Sequence, residues 1–251
     1  MLCRHMSLPF ELDALALARN YQRWVFESVR PYLGRRILEV GSGIGNMSQW
    51  LPADELLVLT ETDPGLVKLL RERAPAYFGR RLPNVQVHEL SAGAPAGGGF
   101  EQYGLDTIVS FNVLEHIEDD RAALAQLADA LRASHAPVRR LVSFVPAHSW
   151  ALSDLDRYYG HFRRYSSRRI RETSREIAPE AALTMTPFNA LGLVGWVWST
   201  MVLRRTAIDA RSVRAYDAIC RYTHAADDLL CRTLRYPFGQ SYVWVLSFPP
   251  R

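Results

Sequence analysis

From Leu12 to Tyr32 apolar residues recur at helical spacing, Leu15, Ala18, Val25 and Val29 among them, and the run stops at Gly34, which predicts a leading helix. Arg36–Val40 is a short apolar strand that runs directly into Gly41-Ser-Gly43-Ile-Gly45, with an apolar helix expected to follow and end near Leu51. The alternation then repeats: strand Leu56–Thr60, helix Gly65–Arg73, strand Val85–Leu90, a glycine-rich loop Ala92–Gly99, strand Asp106–Ser110, helix Arg121–Ala133 and strand Arg140–Val145. Strands alternating with helices predict an α/β, doubly wound, mostly parallel sheet.

After Pro146 the rhythm fails. A polar and aromatic stretch, His148–Tyr165, precedes a basic helix, Ser167–Ile177. Ala181–Leu203 carries no charged side chain and is long enough to raise the question of a membrane span, but Pro187, Asn189, Gly192 and Gly195 interrupt it. It reads as a strand near Ala182–Thr186 and an apolar helix near Leu191–Leu203, either buried or lying on an interface. A helical region Asp209–Leu234 and a closing strand Tyr242–Ser247 complete the chain. The division expected is a helical cap (1–34), an α/β core (35–180), a sixth strand with a helical cap insertion (181–241) and a final strand returning to the core (242–251).

Composition narrows the chemistry. With 251 residues, 48% hydrophobic and 22% charged, the chain can bury a sizeable core. The net charge of +4 is spread along the chain and so does not mark a nucleic-acid groove. Lys68 is the only lysine and follows no phosphate loop, which disfavours a P-loop NTPase or a Schiff-base enzyme. Cys3, Cys220 and Cys231 form no C-x-x-C pair, which fits a reducing, cytoplasmic setting, and the N-terminus has charge and proline where a signal peptide needs an apolar run.

The glycine turn lies at the carboxyl end of the first strand, where open α/β sheets bind ligands. A dinucleotide fingerprint needs glycine at its sixth place, and Asn46 stands there, so a nicotinamide cofactor is disfavoured. Glu39 sets a carboxylate beside the loop, suited to a ligand bearing an ammonium and a sulfonium. Glu61, twenty residues after Gly41, is placed to accept from both hydroxyls of a ribose. Together, Glu39-x-Gly41-x-Gly43-x-Gly45, Glu61-Thr62-Asp-Pro64 and Ser110-Phe-Asn112-Val113-Leu114-Glu115-His116 resemble the class I S-adenosylmethionine-dependent methyltransferases, from about Ala16 to Tyr165. The resemblance implies a seven-stranded sheet of that type and S-adenosylmethionine as cofactor, with S-adenosylhomocysteine as product. It places Glu39 and the three glycines on the methionine end, Glu61 and Thr62 on the ribose, Ser91 and Ala92 at the adenine, and Asn112, Val113 and Leu114 beside the methyl. Tyr21 is similar to leading-helix aromatics that close over the cofactor, with a helix-core role as the alternative.

Methyl transfer to a hydroxyl also needs a proton acceptor, and histidine titrates near neutrality. Of the seven histidines, His116, His148 and His161 stand out. Asp156-Arg-Tyr158-Tyr-Gly160-His161-Phe-Arg163-Arg164-Tyr165 resembles a Gly-His-aromatic-Arg-Arg-Tyr signature found after the fifth strand in a bacterial methyltransferase subfamily. It implies His161 as the base with Asp156 beside it, His116 as a second catalytic candidate, Arg163 or Arg164 on an anionic acceptor, and His148, Tyr158 and Tyr165 as acceptor contacts. Glu115-His116 also resembles part of the Glu-x-x-Glu-His metal cluster of quinone O-methyltransferases, but Asn112 replaces the first glutamate, so no metal is expected. The reading is a methyltransferase for a small lipophilic or anionic, or lipid-linked, acceptor, with O-methylation favoured and no nucleic-acid substrate. The apolar helix is open to burial, peripheral membrane contact or a homodimer face. A catalytically silent S-adenosylmethionine-binding module, and more remotely a nicotinamide oxidoreductase, are the alternatives.

Overall fold

The computed structural model describes residues 8–90, 99–204, 210–230 and 238–250. Among these, seven strands form one sheet: β1 (Arg36–Val40), β2 (Leu56–Glu61), β3 (Val85–Glu89), β4 (Thr107–Phe111), β5 (Arg139–Pro146), β6 (Ala182–Phe188) and β7 (Ser241–Phe248). Their spatial order is β3-β2-β1-β4-β5-β7-β6. The first five run parallel, and β7 enters antiparallel between β5 and β6. This is the expected mostly parallel, doubly wound sheet.

Successive side chains point to opposite faces of a strand, and the apolar residues divide accordingly. Leu38, Val58, Ile108 and Trp244 pack on one face beneath α4 (Asp120–Ala133) and α6 (Ser167–Ile177). Ile37, Leu57, Leu59 and Val109 pack on the other, against Trp24 and Val29 of α2 (Arg19–Val29), Leu70 and Phe78 of α3 (Pro64–Phe78), and Cys220 of α8 (Ala210–Asp228). Asp63 caps α3 by accepting from the amides of Gly65 and Leu66, and Pro64 supplies a first helical residue that needs no amide partner.

Two expectations are corrected. The leading helix is two helices, α1 (Leu8–Leu15) and α2, separated by a turn in which the Gln22 side chain donates to the carbonyl of Leu15. The helix expected after the glycine loop is reduced to one 3-10 turn, Ser48–Trp50. Its physical cause is length: few residues separate Gly45 from Pro52, too few to propagate an α-helix beyond its nucleus. The loop therefore lacks the long helix dipole that holds a pyrophosphate in dinucleotide folds.

Between β6 and β7 the described residues form helices. Asn189, itself left-handed (φ 64°), caps α7 (Ala190–Val197) by accepting from the amide of Gly192. The Asp227 carboxylate accepts from the amides of Asn189 and Ala190, fastening α7 to α8. Helix α7 continues as a π-turn, Trp198–Val202. No helix among the described residues is long and apolar enough to cross a membrane.

Candidate functional site

After β1 the chain moves outward through β2 and β3, then returns to place β4 on the other side of β1, opening a crevice at the carboxyl ends of β1 and β4. Gly41 follows β1 with φ +70°, and a β-carbon there would lie 2.6 Å from the Val113 side chain, which follows β4. Only glycine permits that backbone and that approach. Asn112 is left-handed as well (φ 51°), its amide donating to the carbonyl of Phe144.

Glu39 is buried at the end of β1, and the Ser48 hydroxyl donates to its carboxylate. Burial lifts its pKa to about 7, so near neutrality it is poised to release its proton to solvent when a cation comes to lie beside it. Glu61 stands at the end of β2. Its carboxylate accepts from the Gly43 amide at 2.8 Å and the Thr62 amide at 2.7 Å, tying the glycine loop to the neighbouring strand. Glu39, the three glycines, Glu61, Thr62, Asn112 and Val113 thus all stand at or just beyond the carboxyl ends of β1, β2 and β4, and Leu114 is fully buried. Ser91 and Ala92 lie outside the described residues. Tyr21 packs in an aromatic cluster with Trp24, Phe188 and Tyr216, while its amide donates to Asp217 of α8.

A second group of polar residues adjoins this crevice. Leu114–His116 form a 3-10 turn after β4, and the amide of Phe162 donates to the carbonyl of Glu115, drawing in the loop that follows α5 (Asp154–Tyr158). The rings of His116 and His161 meet edge to face, 4.6 Å between centroids. His161 Nδ1 lies 3.1 Å from Asp156 Oδ1, within ion-pair reach but off the line of a hydrogen bond. Glu115 is fully buried and neither carboxylate oxygen has a hydrogen-bond partner, so burial pushes its pKa up to about 8. Desolvation, then the charge of His161, push His116 down to about 4, although part of its surface meets solvent.

Asp156 is the anchor of this loop. Burial alone would raise its carboxyl, but the adjacent His161 imidazole and the hydrogen bonds and charge of Arg164 outweigh that and hold it well below the usual carboxylate range. Both carboxylate oxygens engage the Arg164 guanidinium, at 2.9 and 2.8 Å, and Asp156 completes a capping box with Ser153. Arg164 also stacks on Trp196 of α7, 4.3 Å from the ring centroid.

Three residues expected at the acceptor are engaged within the protein. The Arg164 guanidinium is buried and committed to Asp156. Arg163 donates to the carbonyls of Ile117 and Glu118, both at 2.6 Å, and pairs with Asp120. Tyr165 is fully buried with its hydroxyl donating to Asp120. All three brace the loop. Tyr158 is exposed, and His148 is buried in a left-handed turn (φ 64°) against Trp150, Phe238 and Tyr242, with Nε2 unpartnered. Sequence reasoning missed Asp120, which also receives Arg169 at 2.8 Å, and Trp196. Neither carries a local signal, because their partners come from distant segments.

Comparisons with known proteins agree with this geometry. Residues 38–134 match the family model of a methyltransferase domain. A polyketide synthase, ThaG of Burkholderia thailandensis, is 35% identical over 109 residues, covering 40% of this chain; the chain spans 2% of that protein's length. Among solved structures, the YcgJ protein of Bacillus subtilis superposes with a TM-score of 0.56 at 15% identity, over 91% of this chain and 99% of that one. The magnesium protoporphyrin IX methyltransferase of Synechocystis PCC 6803, solved with S-adenosylmethionine bound, gives a TM-score of 0.51 at 13% identity, over 91% and 80%. Residues 38–134 thus match a methyltransferase domain, and the sheet built around them has the fold of the S-adenosylmethionine-binding methyltransferase it superposes on.

Proposed function

We propose that the protein transfers the methyl group of S-adenosylmethionine to a small acceptor, with a hydroxyl oxygen favoured as the atom methylated. The observation that carries this reading is the Glu39–Gly41–Gly43–Gly45 loop, bound to Glu61 through the Gly43 amide and pressed by Val113 at the switch point of the sheet. Glu39 meets the ammonium and Glu61 accepts from the ribose hydroxyls. The methyl then faces the Asn112–Leu114 turn, and the chain's main contribution is to align acceptor and sulfonium and keep water out.

The Glu115–His116–His161 group next to that turn is where an acceptor hydroxyl would give up its proton, with Asp156 orienting His161. With Arg163 and Arg164 committed inside the protein, support for an anionic acceptor weakens. Support for a lipophilic one is retained in exposed Trp150, Tyr158 and Phe162 and in the apolar α7. Incubation with methyl-labelled cofactor and a panel of phenols, hydroxy acids and lipid-linked alcohols tests this. Label transfer to a lipophilic hydroxyl supports it, whereas cofactor binding with no transfer to any acceptor points to a silent binding module.

A further inference from the structure

Asn112 removes from sequence view the metal cluster that Glu115-His116 resembles in part, yet the fold supplies a replacement from far along the chain. We propose that Glu115, His116 and His161 form a site for one divalent transition-metal ion of the zinc class. One ligand atom from each residue lies within 4.8 Å of the other two. A zinc-sized ion with bonds of about 2.0 to 2.2 Å holds tetrahedral ligands roughly 3.4 Å apart, so modest side-chain adjustment closes the triad.

Two features besides the ligand spacing point to a cation here. The first is Glu115, fully buried with both carboxylate oxygens unpartnered, an arrangement that costs free energy unless a ligand completes it. The second is the outer layer. Metal-binding imidazoles are held by a carboxylate or a backbone group on their second nitrogen, and here Asp156 stands 3.1 Å from His161 Nδ1 while His116 bonds the backbone of Gly160.

Two imidazoles and one carboxylate suit a borderline ion such as zinc, cobalt or iron(II); magnesium and calcium prefer oxygen ligands. Three protein ligands leave a coordination position open.

The consequence for catalysis rests on the methyltransferase reading; metal binding itself does not. An acceptor hydroxyl oxygen in the open position loses its proton to solvent along the exposed side of His116. That oxygen then forms the new bond to the methyl carbon as the carbon–sulfur bond breaks, its electron pair neutralising the sulfonium.

The test uses untagged full-length protein stripped with chelator and titrated with cobalt(II), whose visible absorption reports coordination. One equivalent bound with new absorption bands is expected, competed away by zinc. Binding should weaken by about tenfold or more in His161→Ala and in Glu115→Gln, and remain unchanged in His135→Ala. Should Glu115→Gln not fold, His116→Ala takes its place. Failure to bind one equivalent of cobalt or zinc, or binding undiminished in these variants, overturns the site. Calorimetry with S-adenosylhomocysteine on the same samples reports separately on the cofactor reading.

Discussion

The Val113 side chain stands 2.6 Å from where a β-carbon on Gly41 would be, so the turn after β4 closes directly onto the turn after β1. A methyl group at residue 41 meets that contact and a backbone φ of +70° together. Each costs on the order of 1 to 3 kcal/mol. Gly41→Ala should lower the melting temperature by several degrees. Adding Val113→Ala should return only the steric share, leaving the conformational cost. A double variant as unstable as the sum of both single variants would show that the two turns do not touch.

Glu39 makes stability and cofactor binding respond to pH in opposite directions. Its pKa in the folded protein, about 7, lies above the ordinary carboxylate value. Stability from the protonated buried form is therefore fully present below about pH 4.5 and lost as pH rises through 7, up to roughly 3 kcal/mol before solvent relaxation. Binding a cation next to Glu39 favours the ionised form, so affinity for S-adenosylmethionine should rise between pH 5.5 and 8 with release of a proton. Calorimetry in buffers of different ionisation enthalpy measures that proton, and Glu39→Gln should abolish it.

Arg164 and Asp156 should behave as a structural pair. Removing the guanidinium leaves a buried carboxylate uncompensated, a loss of about 3 to 5 kcal/mol. Arg164→Ala should lower the unfolding midpoint, and Arg164→Ala with Asp156→Asn should destabilise by less than the sum of the single changes. Because the Asp156 carboxyl is held low, its contribution is present above the ordinary carboxylate pKa and disappears as pH falls through the folded value. An Arg164 variant of native stability with only a raised KM would restore it as an acceptor-binding residue.

What the chain disclosed in sequence was what is encoded locally. The strand Arg36–Val40 and the helix Ser167–Ile177 have the bounds their patterns predict, because a continuous apolar run buried on both faces and a period-3.6 burial are written into adjacent residues. The glycine turn and Glu61 were legible for the same reason: backbone freedom and strand ends leave marks in the sequence. The helix after Gly45 failed because apolar content says nothing of whether enough residues remain to nucleate it. The partners of Arg163, Arg164 and Tyr165 were not legible, because a motif shows side chains without what they bond. Tyr165 and Asp120 lie 45 positions apart, and the convergence of Glu115 with His161 needs the loop after α5 folded back onto the turn after β4.

The reading of the glycine loop is tested most directly by titrating wild type and Glu61→Ala with S-adenosylmethionine in a calorimeter, with NAD as the competing candidate. One cofactor bound per chain, no heat from NAD, and affinity weakened by about 1 to 3 kcal/mol in the variant are the expected results. Unchanged affinity in Glu61→Ala, or binding of NAD in place of S-adenosylmethionine, would contradict it.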